Sequence, residues 1–227
     1  MEDFRIIHKG GNGQIEEKRS RFIAAVRPVH SEEEALAFIA ATKKTYWDAR
    51  HNCFAYIIGD RGQLKRCSDD GEPQGTAGRP ILDVLEGAHL TDVVCVVTRY
   101  FGGVLLGTGG LVRAYSGAAG AGLEDCEILT KRTGHRISVE MDYTDLGKVQ
   151  YLLGQKQIPV LDSDYGSAVT MTFVTDASEG EAVRKELTDA TAARIRIVRD
   201  EEIVFASDGK KVVILGSEGQ TEKEVGS

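Results

Sequence analysis

Residues 99–110 read RYFGGVLLGTGG, with five glycines in nine positions directly after the apolar run DVVCVV. Glycine inside a regular element costs roughly 0.5–1 kcal/mol against alanine, so a cluster this dense answers to a specific backbone geometry. A strand, a glycine-rich turn and a helix start present unpaired backbone N–H groups to an anion. Gly102, Gly103, Gly107, Gly109 and Gly110 would supply the donors, Thr108 lies among them, and Arg99 and Arg113 bring charge nearby. The chemistry would be capture of a phosphate or carboxylate. No Gly-Lys-Ser/Thr is present, and Val112 stands where the third glycine of a dinucleotide fingerprint belongs, so a nucleoside triphosphate is not indicated. The competing reading of the glycines is tight turns and close helix packing.

A second stretch, CSDDGEPQGTAGRP, sets three carboxylates, Asp69, Asp70 and Glu72, within four positions. Such a set can hold a metal or act as a base, but the spacing is not that of a calcium loop. A turn at Asp70–Gly71 with solvated acids explains it more simply. Ser68, Pro73, Gly75, Thr76 and Gly78 complete an irregular loop that is long for compact structure, and long loops often carry function. His51 and Ser68 with Asp69 or Asp70 suggest a hydrolase only weakly, since Ser116 lacks the preceding glycine of a nucleophile elbow. Tyr46 and Trp47 beside Lys43, Lys44 and Arg50 can stack bases, yet an aromatic ending an amphipathic helix more often belongs to the core. No catalytic residue, metal site or cofactor is assigned.

The elements that position these stretches follow from patterning. RFIAAVRPV is a strand, and a helix follows, opened by a capping box of Ser31 and Glu34. NCFAYIIGDRGQLKRCS reads as a hairpin turning at Gly59–Gly62, and Pro80 opens the helix PILDVLEGA. DVVCVV is a buried strand, and LVRAYSGAAGAGLEDC a helix whose Gly117, Gly120 and Gly122 imply a backbone packed close by. Composition turns polar at Leu129–Gly134, where a domain boundary is expected. The remainder runs β-α-β-β-α-β, the ferredoxin-like order, then a hairpin through IVFASDGKKVVIL and a polar tail, GSEGQTEKEVGS, with nothing to bury.

Composition narrows the function classes. A net charge of −7 argues against gripping nucleic acid through a basic sheath. Residues 1–134 carry only −1 and residues 135–227 carry −6, so an anion-binding face belongs to the first half. No apolar run approaches a membrane span and the amino end lacks a signal core, which predicts a cytoplasmic protein without a membrane partner. Four scattered cysteines without a CxxC pair read as reduced structural thiols.

RFIAAV, HNCFAYIIG, SDDGEPQGTAGRPIL and VVTRYFGGVLLGTGGLVRAYS together resemble the YigZ/IMPACT family over most of residues 18–124. The resemblance implies an α+β chain of two domains. The first, residues 1–132, would have a left-handed βαβ fold like a small-subunit ribosomal protein domain and domains of elongation factor G and certain sugar kinases. The second, residues 133–206, would be ferredoxin-like and similar to the last domain of elongation factor G, with a hairpin strand and tail at 207–227. Eukaryotic relatives restrain a starvation-response kinase by competing for its ribosome-associated activator. The expectation is a non-enzymatic translation-linked protein whose partner is the ribosome, RNA or a translation-associated protein. The two loops would meet in one surface charged by Arg79, Arg99 and Arg113. The alternatives are an enzyme acting on a small phosphorylated or carboxylated substrate, and a protein-interaction module.

Overall fold

The computed structural model describes residues 4–209, 211–216 and 221–226. The first part of the chain forms strands β1 (Arg5–Lys9), β2 (Gly11–Glu17) and β3 (Ser20–Pro28), helix α1 (Glu32–Thr45), strands β4 (His51–Ile58) and β5 (Leu64–Ser68), and helix α2 (Gly78–Gly87). Strands β6 (Leu90–Thr91) and β7 (Val93–Tyr100), helix α3 (Thr108–Glu124) and strand β8 (Glu127–Met141) follow. After them come α4 (Tyr143–Gln155), β9 (Val160–Tyr165), β10 (Val169–Asp176), α5 (Gly180–Ala190), β11 (Arg196–Ser207), β12 (Lys211–Leu215) and β13 (Thr221–Gly226). The chain divides into two compact units between Thr130 and Lys131.

In the first unit, β7 is the middle strand of an antiparallel sheet ordered β2-β3-β7-β4-β5. Its apolar run does not alternate because both faces are covered. Val93, Cys95 and Val97 pack with Ile81 and Leu85 of α2 and with Leu111 and Tyr115 of α3, while Val94 and Val96 pack with Ala35 and Ile39 of α1. Burial on both sides favours a continuous β-branched strand over an alternating one. Strands β3 and β4 both run antiparallel to β7, so β3-α1-β4 is a βαβ unit with β7 inserted between its strands. Helix α1 starts as expected: Ser31 Oγ accepts the Glu34 N–H at 3.1 Å. The return bond goes one residue further back, from the His30 N–H to Glu34 Oε2 at 2.7 Å.

Strand β2, GNGQIEE, does not read as a strand from its composition, and its glycines are the reason it exists. A Cβ at Gly13 would fall on the backbone of Ala121 and Gly122, and one at Gly11 would lie 2.7 Å from the Gly122 carbonyl oxygen. The close backbone approach expected of α3 is therefore real at Gly122, and β2 is the neighbour. It does not hold at Gly120, where a Cβ would meet nothing within 4 Å, and Gly117 meets only the Ile15 side chain.

Around the second unit's sheet, β10 pairs with both β8 and β9 and β11 lies on the other side of β8, giving β9-β10-β8-β11. With α4 and α5 this is the ferredoxin-like order. Val169, Met171 and Phe173 of β10 alternate into a core with Ile137, Val139, Val149, Leu153, Val183 and Leu187. The break between Thr130 and Lys131 falls inside Leu129–Gly134, where a boundary is expected, and the stretch is part of β8, with Leu129 and Gly134 buried and the residues between them reaching solvent. Half-wet strand and linker look alike in composition. The tail differs from expectation: Thr221–Gly226 pairs antiparallel with β12. Backbone hydrogen bonds suffice for an outer strand. Residues 217–220 and 227 of that tail lie outside the described residues.

Candidate functional site

The carboxylate loop spans residues 69–77, between β5 and α2. Ala77 at the start of α2 offers no capping side chain. Asp69 supplies one from a distance: its carboxylate accepts N–H bonds from Gly75 at 2.8 Å, Ala77 at 3.0 Å and Gly78 at 2.8 Å. Burial works to raise the Asp69 pKa, but the N–H donors of Gly75, Gly78 and Ala77 outweigh it and hold the group below the ordinary carboxylate value. An anion thus already sits at this helix N-terminus, and it belongs to the protein.

The other two acids are also engaged internally. Asp70 takes Lys43 Nζ at 2.6 Å and the Asn52 N–H at 2.7 Å, and its carbonyl accepts His51 Nδ1–H at 2.9 Å. Ser68 Oγ accepts the Asp70 N–H at 3.2 Å, and Thr76 donates to the Pro73 carbonyl at 2.6 Å. Gly71 and Gly75 have φ of 88° and 76°, so the loop doubles back twice. Glu72 points inward, its side chain 4% exposed. Its Oε1 accepts from Arg99 Nη1 at 2.6 Å and from the Tyr115 hydroxyl at 2.8 Å. Burial, then Cys53 and Glu72, push the Tyr115 phenol far above its usual range, so it donates at any physiological pH. Burial also raises the Cys53 thiol to about 12, which removes it as a nucleophile. Among the described residues no group of three or more His, Cys, Asp or Glu converges as a metal ion would need.

The glycine segment begins where β7 ends. The Gly102 N–H bonds Ser20 Oγ at 3.1 Å, and a side chain at Gly102 would collide with the Arg19 backbone. The chain then runs exposed through Gly103, Val104 and Leu105 to Gly107, whose φ of 71° turns it into α3. No side chain caps α3 and no acid lies in its first turn. Gly109 faces open space, its nearest neighbour being Arg113 Nη1 at 3.8 Å from a Cβ position, whereas Gly110 is buried against Leu106. Thr108 and Arg113 are exposed, and Arg113 meets no carboxylate among the described residues.

The three arginines thus have different surroundings. Arg99 is buried against Glu72, between the rings of Phe22 and Phe101, with its Nε unpartnered among the described residues. Arg79 is exposed but held by Asp83 at 2.7 Å and Glu86 at 3.3 Å. Arg113 alone of the three stands beside the open helix end. The carboxylate loop and the glycine segment are joined through Glu72, Arg99 and Tyr115, which is an interior junction. Sequence reading missed Tyr115, although it is the one aromatic in a helix rich in glycine and alanine. It also placed Trp47 in the core. The buried stripe of α1 is Ala35, Ile39 and Thr42, and Trp47 lies past the helix end, 82% exposed.

Comparison with known proteins places these elements in a family. The Impact N-terminal domain model matches residues 18–123, and a model described as a domain of unknown function matches residues 139–194. IMPACT family member YvyE of Bacillus subtilis is 36% identical over 201 residues, 88% of this chain and 93% of that protein. IMPACT family member YigZ of Escherichia coli is 35% identical over 82% of this chain and 92% of its own length. A crystal structure of a hypothetical protein aligns at 34% identity with a TM-score of 0.55, covering 88% of this chain and 98% of the other. With relatives matched nearly end to end at this identity, the chain belongs to the IMPACT family.

Proposed function

We propose that the protein is a non-enzymatic, cytoplasmic binding protein linked to translation, and that its first unit offers an RNA- or ribosome-facing surface. The donors are the N–H groups at the start of α3, at Thr108, Gly109 and Gly110, approached through Gly103 and Gly107 with Arg113 as the adjacent charge, while the N–H expected of Gly102 is already taken by Ser20. One contrast carries the reading: the N-terminus of α2 is filled by Asp69, while that of α3 has neither a capping side chain nor an acid in its first turn. An open helix start is a ready receptor for a phosphate. The translation link is what the resemblance to the family's eukaryotic members implies, and it rests on the chain's membership of that family. Absence of enzymatic activity is supported by the internal engagement of Asp69, Asp70 and Glu72 and by the raised Cys53 thiol.

Co-sedimentation with ribosomes across a salt series tests this. Binding should be modest, with a shallow salt slope of about −2 to −3, because few phosphates are contacted. The Gly109→Asp, Arg113→Ala double variant should lose it, since the new carboxylate would occupy the helix end. Binding that survives the double variant unchanged would remove α3 from the interface.

A further inference from the structure

We propose that Trp47 is a stacking platform for an unpaired base of single-stranded RNA, set in a cationic rim distinct from the start of α3. This takes its ligand class from the RNA reading above and its site from separate residues. Trp47 lies in a turn closed by the Ala49 N–H on the Tyr46 carbonyl at 3.0 Å, and 82% of it faces solvent. Its neighbour Asp48 is fixed by the Tyr100 hydroxyl at 2.7 Å, and the Arg21 guanidinium covers the Tyr100 ring at 4.8 Å. Arg21 pairs across the sheet with Tyr100, and the turn before it carries Lys18 and Arg19. That turn packs on Gly102, so the rim continues into the glycine segment.

Lys18, Arg19 and Arg50 are exposed and meet no carboxylate among the described residues. The acids in the rim are Asp48, tied to Tyr100, Glu16, which pairs across the sheet with Arg21, and Glu17. An exposed indole beside unpaired cations complements a ligand with planar faces and a polyanionic backbone, and single-stranded RNA has both. A duplex hides its base faces, and an acidic protein has none to stack.

Trp47 is the chain's single tryptophan, so its fluorescence reports this site alone. The full-length protein is titrated with a short oligoadenylate, an RNA duplex, inorganic polyphosphate and polyglutamate. Oligoadenylate should quench Trp47, and the duplex and polyphosphate should not. Trp47→Ala should weaken oligoadenylate binding about five-fold or more, Trp47→Phe should restore most of it, and polyphosphate affinity should be unchanged in both. The indole is exposed, so neither variant disturbs a core. Oligoadenylate bound without quenching, and equally well by Trp47→Ala, overturns the stacking site while leaving α3 as the phosphate receptor. Quenching that persists in Gly109→Asp, Arg113→Ala supports a stacking site distinct from the start of α3. Polyglutamate binding as tightly as oligoadenylate, or no binding of oligoadenylate, overturns the proposal.

Discussion

Glu72 accepts two hydrogen bonds on one oxygen, from a guanidinium and from a phenol, in a site that excludes most water. Removing one partner of such a buried pair leaves the other charge uncompensated, so Glu72→Gln should cost about 3–5 kcal/mol. Tyr115→Phe deletes one hydrogen bond and keeps the ion pair, for a loss of about 1 kcal/mol. Urea unfolding of both variants checks the order, and equal losses would mean that Arg99 finds another partner. Asp69 makes a second prediction, through pH. Its folded pKa lies below its ordinary value of 3.8, so its stabilisation is complete above that value and fades as pH falls through the folded pKa. Asp69→Asn should therefore be less stable than wild type by about 1–2 kcal/mol at neutral pH, with the gap closing in acid. A gap that stays constant down to low pH would assign Asp69 a packing role instead.

At the scale of elements, α3 holds two glycines with opposite roles two positions apart. Gly120 faces empty space within a helix, so Gly120→Ala should stabilise by about 0.5–1 kcal/mol. Gly122 lies where a Cβ would approach Val26 at 3.0 Å and Ala24 at 3.1 Å, with β2 behind it. Overpacking of this kind costs about 1–3 kcal/mol, and thermal melts of the two variants should move in opposite directions. Gly109→Asp bears on the same helix from its open end. A carboxylate there favours the helix dipole by about 0.3–1 kcal/mol, so stability should hold or rise while anion binding falls. A variant that loses both would show that Gly109 is structural.

Across the whole molecule, the sheets of the two units are built over separate apolar clusters. Phe173, fully buried in the second, should cost about 3–5 kcal/mol on substitution by alanine. Hydrogen exchange should then rise in β10 while β7 keeps its protection, and loss of protection in both would mean that the units unfold together. Charge divides the same way. The first 134 residues carry −1 and the remainder −6, so any grip on a polyanion must come from local cations and oriented N–H groups in the first part.

The sequence by itself determined what repeats along the chain: the buried strand β7, the capped start of α1, the hairpin at Gly59–Gly62 and the ferredoxin-like order of the second unit. Periodicity and turn residues are local signals, and they suffice for elements whose partners lie nearby. It also marked both signature loops by their composition. Only the tertiary structure decided how each carboxylate and arginine is used, because a charge has no intrinsic partner until the fold brings one. Asp69 became a helix cap, Glu72 and Arg99 closed on each other, and Arg113 was left beside an open helix end. Strand β2 was illegible for a related reason: its glycines answer to the backbone of α3 more than a hundred residues away, which no local pattern can express. Trp47 was misplaced because helical spacing predicts a buried stripe but not the residue at which the helix leaves the core.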